Sequence, residues 1–266
     1  MSGMPLEYAQ ARLQARYGAR GDEPLWNQIR SARSFPALLE TIRTSPLRRW
    51  AEAIAHDADA DDIELALRAS LRGAIDEVAG WMPAQWQRAL RWCRHLVDLP
   101  ALARLARGEP PPPWMRRDPV LQAYAEPDPD ARRAALRAGP LAGIVARIES
   151  EAAEGAPKHA GGPEAIARRA WHEEWRGRWP RDAEEETAPI EALAAAFESH
   201  LARFAAQPVA EDAWALRHGF ERELRRRFRR HALAPAAAFA YLALVALELE
   251  RLRAHLVTRA AFGRIP

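Results

Sequence analysis

The sequence predicts an all-α protein, and three observations carry that prediction. Ala, Leu, Arg and Glu dominate while β-branched residues are sparse, a composition that favours helix almost throughout. Apolar residues recur at helical spacing in run after run, with prolines between the runs. The last run, Ala240 to Pro266, is long and apolar around most of its circumference, and such a helix needs cover on most sides. A chain of 266 residues can bury a good core as one large domain, so we expect a single all-helical domain over 1–266.

In chain order, Leu6 to Tyr17 reads as an amphipathic first helix carrying Tyr8, Arg12 and Tyr17. Ser34 can cap a helix whose first turn holds Pro36. Leu38, Leu39 and Ile42 follow, and Pro46 ends that helix and starts another. The acidic turn Asp57 to Asp62 precedes Ile63, Leu67, Leu71, Ile75 and Val78 at helical spacing, with Asp61 and Asp62 expected to cap it. Pro83 opens a helix through Leu105 that Pro100 should kink or divide. Glu109 to Pro113 is a stiff proline-rich spacer. Two further stretches, 153–162 and Asp182 to Thr187, read as low in order.

The chain repeats itself. Ala37 to Ile54 aligns with Ala131 to Ile148, so that Arg43, Pro46, Leu47 and Ile54 match Arg137, Pro140, Leu141 and Ile148, and Ile42 corresponds to Leu136. Both read as helix, sharp proline turn, helix. Ile63-Glu64 is echoed by Phe220-Glu221, each opening a helix that leads to a proline and a further long helix. The shared order gives three related units, approximately 35–107, 128–204 and 208–262.

The C-terminal run sets two charges, Glu248 and Arg253, among Tyr241, Leu242, Leu244, Val245, Leu247, Leu249, Leu252, Leu256 and Val257. Charges inside an apolar helix cost energy unless each finds a partner. This pattern resembles the C-terminal helix of the C subunit of V/A-type rotary ATPases, the family that includes V-ATPase subunit d. Tyr241, Leu242, Glu248, Leu252, Arg253 and Gly263 stand where that family's motif has the same residue types. Val245 and Ala246 replace its Lys-Glu pair, and Arg251 replaces its Asn. Tyr8, Ala11 and Arg12 resemble the family's opening pattern.

The resemblance implies three related helical units in a pseudo-threefold, funnel-like body. It implies a non-catalytic rotor adaptor between the membrane rotor ring and the central-stalk subunits, coupling them during ATP-driven or ATP-synthesising proton or ion transport. No cofactor, metal or catalytic residue is then required, and Tyr8, Arg12, Glu64, Glu221, Tyr241, Glu248 and Arg253 are the structural or interface candidates. The chain looks shorter than typical members, chiefly in the middle unit. A free-standing helical-repeat scaffold that binds a protein or peptide partner is the alternative.

Other chemistries fare worse on the residues. Trp171-His172-Glu173-Glu174-Trp175 lacks the second His of a zinc motif, since position 176 is Arg. The cluster Asp57, Asp59, Asp61 and Asp62 lacks a facing acidic partner for a metal-dependent helical enzyme, Glu184 to Glu186 being wrongly spaced. Gly161-Gly162 lacks the strand and the Lys-Ser/Thr of a phosphate loop.

The net charge is +3, nearly all positive charge is Arg, and Lys158 is the only lysine. The charges are interspersed, so no nucleic-acid partner is expected. The basic run Glu221 to Arg230 could touch phosphate or acidic lipid headgroups, but it reads better as a solvated face or a docking strip for an acidic partner. The lone Cys93 excludes an intrachain disulfide and fits a reducing cytosol. No signal-peptide core or bilayer-length run is present, so the expected location is cytoplasmic, peripheral to the membrane through the ATPase complex.

Overall fold

The computed structural model describes residues 5–153, 162–206 and 210–262. Those residues form helices and turns, with no strand among them. The helices are α1 (Leu6–Gly18), α2 (Glu23–Ser31), α3 (Phe35–Arg43), α4 (Arg48–Ala51), α5 (Ala60–Trp81), α6 (Ala84–Trp92), α7 (Leu99–Ala106), α8 (Pro129–Ala138), α9 (Ala142–Ala153), α10 (Gly162–Arg176), α11 (Glu184–Ala205), α12 (Ala210–Arg230) and α13 (Pro235–Phe262). Most of the stretch 153–162 expected to be low in order, together with Lys158, Gly161 and Gly263, lies outside the described residues.

α13 is the hub. It packs against α1, α3, α5, α11 and α12. From Pro235 to Val245 every residue is buried, so this half of the helix is covered on all sides. Beyond it the cover becomes one-sided: Glu248, Leu249, Leu252 and Leu256 are buried, while Leu247 and Val257 are half-buried. No helix among the described residues is long and apolar enough to cross a membrane.

A second packing centre lies on α10, which meets α6, α7 and α9. Tryptophans join it to the hub. Trp171 and Trp175 stack at 5.2 Å, and Trp175 meets Phe239 of α13 edge-on at 5.2 Å. Trp92 and Trp171 donate their indole N–H groups to each other's backbone carbonyls, at 3.2 and 3.3 Å. Trp175 Nε1 donates to the Ala89 carbonyl at 3.0 Å. Each buried indole thus satisfies its polar edge on a neighbouring helix.

Helix starts follow the sequence signals with some corrections. Ser34 caps α3 by accepting from Ala37 N, with Pro36 in the first turn. The cap of α5 is Asp59 rather than Asp61 or Asp62: Asp59 Oδ1 accepts from Asp62 N at 2.8 Å, and Asp62 reciprocates to Asp59 N. The helix expected from Pro83 to Leu105 is divided earlier than Pro100, by a 3-10 turn at Cys93–Asp98, and Pro100 sits in the first turn of α7. The acidic stretch Glu184 to Thr187 is helical, because negative charge suits the start of α11. Glu109–Pro113 leads directly into buried structure, with Met115 and Asp118 packed inward, so it is more than a spacer.

The aligned segments share their caps, helix starts and buried positions, although α4 stops at Ala51 while α9 runs on to Ala153. Asp128 caps α8 by accepting from Ala131 N, as Ser34 does from Ala37 N. α8 and α9 begin at Pro129 and Ala142, the aligned partners of Phe35 and Arg48 where α3 and α4 begin. Ile42, Leu47 and Ile54 are buried, and so are Leu136, Leu141 and Ile148.

Because α13 is enclosed, Leu244→Ala, at a fully buried site, should destabilise the protein by about 2–5 kcal/mol. Glu250→Ala on the exposed side of the same helix should change stability by less than about 1 kcal/mol. Paired urea melts measure the contrast.

Candidate functional site

The sequence candidates gather around one buried carboxylate. Glu248 is 4% exposed on α13. Its Oε1 accepts from the backbone N–H of Gly21 at 3.1 Å, and its Oε2 accepts from Trp50 Nε1 at 3.1 Å. Arg20 Nε lies 3.5 Å from Oε1. Glu248 therefore ties α13 to the α1–α2 turn and to α4.

Local sequence explains the approach. Gly21 is buried between helices, and a Cβ there would come within 3.1 Å of Trp26 Nε1 and 3.3 Å of Leu47. Only a glycine lets the turn sit close enough to present its N–H without displacing those side chains. The following helix, α2, escaped the sequence reading, although Asp22 caps it, Pro24 occupies its first turn, and Leu25, Trp26 and Ile29 are buried at helical spacing.

Arg20 links two of the candidate glutamates. Besides facing Glu248, its Nη2 donates to Glu221 Oε1 and to the Leu244 carbonyl, both at 3.2 Å. Glu221 also accepts from Arg225 at 2.7 Å. The third glutamate is held in a like manner. Glu64 accepts from Arg68, one turn on, at 3.3 Å, and from Arg253 of α13. Ile63 and Phe220, which precede Glu64 and Glu221, are both buried, as are Leu67 and Leu224 one turn on. The side-chain pattern is shared, a buried apolar residue, a glutamate, and an arginine one turn later with a second arginine from another element, but the expected position is not: Ile63 lies in the first turn of α5, whereas α12 begins at Ala210 and carries Phe220 at its middle.

The remaining candidates lie nearby but outside this tie. Arg253 does not sit inside the apolar run as expected. Its side chain is 53% exposed and reaches Glu64 at the surface. Tyr241 is 2% exposed and packs near Phe228, which itself stacks on Tyr17 of α1 at 4.7 Å. Tyr8 is 39% exposed. Arg12 lies over the rings of Trp81, at 5.3 Å, and Tyr8, at 6.0 Å.

A second buried ion network was missed. Arg72 Nη1 donates to both oxygens of Asp118 at 2.9 Å, and its Nη2 donates to Asp98 at 2.7 Å. Arg68 adds bonds to Asp98 at 3.1 Å and to the Val97 carbonyl at 2.8 Å, and its guanidinium lies over Trp114 at 4.3 Å. Asp118 also accepts from the backbone N–H groups of Val120 and Leu121. The signal was available: Arg68 and Arg72 directly follow Leu67 and Leu71 on the apolar face of α5. An arginine repeated on a buried face requires a carboxylate opposite it.

Trp171, His172 and Trp175 form no metal motif. Both tryptophans are buried, and His172 is half-buried with Glu191 3.7 Å away. Cys93 is half-buried, its thiol 3.6 Å from the Ala89 carbonyl and pushed up by burial to about 12.

The environment sets the protonation of these groups in opposite directions. Burial raises the Glu248 carboxyl against the pull of Arg20, Trp50 and Gly21. Burial also works against the charge of Glu221, but Arg225 and Arg20 outweigh it and lower that carboxyl. Burial of Arg72 is likewise outweighed, by Asp98 and Asp118, which hold its charge in place.

No protein-family profile, no curated protein and no solved structure matches this chain.

Two measurements follow from this geometry. Glu248→Ala leaves Arg20 and the Trp50 N–H without their buried partner and should cost about 3–5 kcal/mol, as should Asp118→Ala beside Arg72; chemical denaturation reads both. The pH dependence has a definite sign. With its carboxyl raised, Glu248 contributes fully below the unfolded carboxylate range and loses that contribution as pH rises through the raised value. With its carboxyl lowered, Glu221 contributes above its unfolded value and loses that contribution as pH falls. In thermal melts, Glu248→Gln should gain on the parent protein as pH rises from acid to neutral, while the deficit of Glu221→Gln should close as pH falls. Two parallel curves would contradict both assignments.

Proposed function

We propose that this protein is a non-catalytic rotor adaptor of a V/A-type rotary ATPase, coupling the membrane rotor ring to the central-stalk subunits. In this reading its three related helical units stand around an approximate threefold axis in a funnel-like body. The reading rests on the motif that runs from Tyr241 to Arg253 and on one observation, the way Glu248 is held.

That glutamate is the charged residue of the motif buried deepest. It clasps the α1–α2 turn and α4 to the terminal helix across more than half the chain length. A part that carries torque needs its ends joined and its interior close-packed, so that load passes through without yielding. A buried carboxylate that accepts from two other elements, on a helix packed against five others, supplies such a joint. The repeated Glu–Arg arrangement at Glu64 and Glu221 and the matched caps at Ser34 and Asp128 support the multi-unit part of the reading.

The test is association in native membranes. A tagged full-length chain should co-purify with the ring and central-stalk subunits of a rotary ATPase. Its deletion should abolish ATP-driven ion pumping while ATP hydrolysis by the detached catalytic head persists. A chain that stays monomeric, brings down neither set of subunits and leaves pumping intact would overturn the proposal in favour of a free-standing scaffold.

A further inference from the structure

The outward side of α12 carries an unbroken ridge. Trp214, His218, Arg222, Arg226 and Arg230 follow one another at intervals of four residues, and all five are exposed. Residues at that interval form the continuous rows by which helices pack into one another. The ridge is ~24 Å long at the helical rise per residue.

Its charge is unusual for this protein. Arginines elsewhere are mostly paired, and two that flank the ridge are neutralised on the same helix, Arg225 by Glu221 and Arg227 by Glu223, both at 2.7 Å; a third, Arg229, donates to the Arg225 carbonyl at 3.3 Å. Among the described residues, no ion pair or hydrogen bond engages the side chains of Arg222, Arg226 or Arg230. Three guanidinium groups without a carboxylate therefore stand in file, with ion-paired arginines beside them at Arg225 and Arg227.

At the other end Trp214 is 40% exposed, yet its ring is propped in place. Arg217, itself paired to Glu250, lies 5.3 Å from it, and His218 meets it edge-on at 6.3 Å.

We propose that this ridge is a docking surface for an acidic amphipathic helix of a partner protein. Carboxylates one turn apart on that helix would face Arg222, Arg226 and Arg230, and an apolar residue would cover Trp214. The spacing is complementary, because residues one turn apart on any helix stand about 5–6 Å from each other. Arginine suits the task through its planar, two-pronged pairing with carboxylates. A protein helix is favoured over nucleic acid because the positive line is one residue wide. Arg225 and Arg227 beside it are neutralised, leaving Arg229 as the one further charge at its end among the described residues, and the chain's net charge is only +3, whereas nucleic-acid binding draws on a broad basic field. The inference stands apart from the rotor reading and is tested without ATPase subunits.

The probe is a fluorescein-labelled helical peptide of about 20 residues, with Glu at three successive one-turn positions and a Leu two turns before the first, so that it reaches Trp214 past His218. Fluorescence anisotropy with the full-length chain should show binding that weakens as salt is raised. The triple variant Arg222→Glu, Arg226→Glu, Arg230→Glu should lose about tenfold or more in affinity, and should instead bind a peptide with Lys in place of the three Glu. The milder triple Gln variant should bind neither peptide well. Circular dichroism checks that each variant keeps the helical content and melting behaviour of the parent.

Three results would overturn the proposal. One is equal binding of a peptide with the same composition but the Glu residues out of register. Another is tighter binding of a labelled single-stranded oligonucleotide than of the acidic peptide at the same ionic strength. The last is no binding up to about 1 mM peptide, the weak edge of specific recognition.

Discussion

The fold depends on giving cover to α13. A helix that is apolar all round cannot rest on a single neighbour, and this one is surrounded by α1, α3, α5, α11 and α12. Once it is enclosed, any charge on it is removed from water and must be satisfied by what surrounds it. Glu248 is that charge. It accepts from a backbone N–H at Gly21 and an indole at Trp50 and faces the guanidinium of Arg20, so the requirements of one side chain fix where the α1–α2 turn and α4 lie. The N-terminal third of the chain is thereby committed to its place by a residue near the C-terminus.

Arginine chemistry runs through the rest of the interior in the same spirit. α5 carries Arg68 and Arg72 on its inner face, and the segments ending at Asp98 and Asp118 fold back to meet them. The planar fork of arginine lets one side chain serve two carboxylates, as Arg72 does. Lysine could not bridge them with the same fixed geometry. Buried pairs of this kind give geometric definition more than net stability, since the cost of removing both charges from water offsets much of their attraction.

How much of this could be read from the sequence varies by element. Signals that act locally were legible. Ser34 and Pro36 start α3 where their chemistry says a helix starts, and the proline corners at Pro46 and Pro140 separate helices as expected. Arg43 and Arg137 each reach back across their corner, to Ile54 and Glu149, which is a structural reason for their shared place in the repeat. Signals that depend on a distant partner were not legible. Glu248 could be marked as needing a counter-charge, but nothing in the sequence said that Arg20 would supply it. Arg68 and Arg72 could be marked only by noticing charge on an apolar face, and Asp98 and Asp118 not at all. The break at Cys93–Asp98 lay hidden because no proline or glycine marks it; Asp98 there is held by Arg68 and Arg72 of α5, partners the local sequence does not reveal.

The crossed indole bonds between Trp92 and Trp171 have a mechanical corollary. Each ring holds the other's main chain, so the two contacts form a closed clasp whose halves run in opposite senses. Sliding either strand of backbone along its axis by a single position would undo both halves at once, with no intermediate setting in which one survives. The α6–α10 seam is thus keyed to one alignment, like a dovetail, and shear along it meets resistance from polar geometry as well as from packed rings.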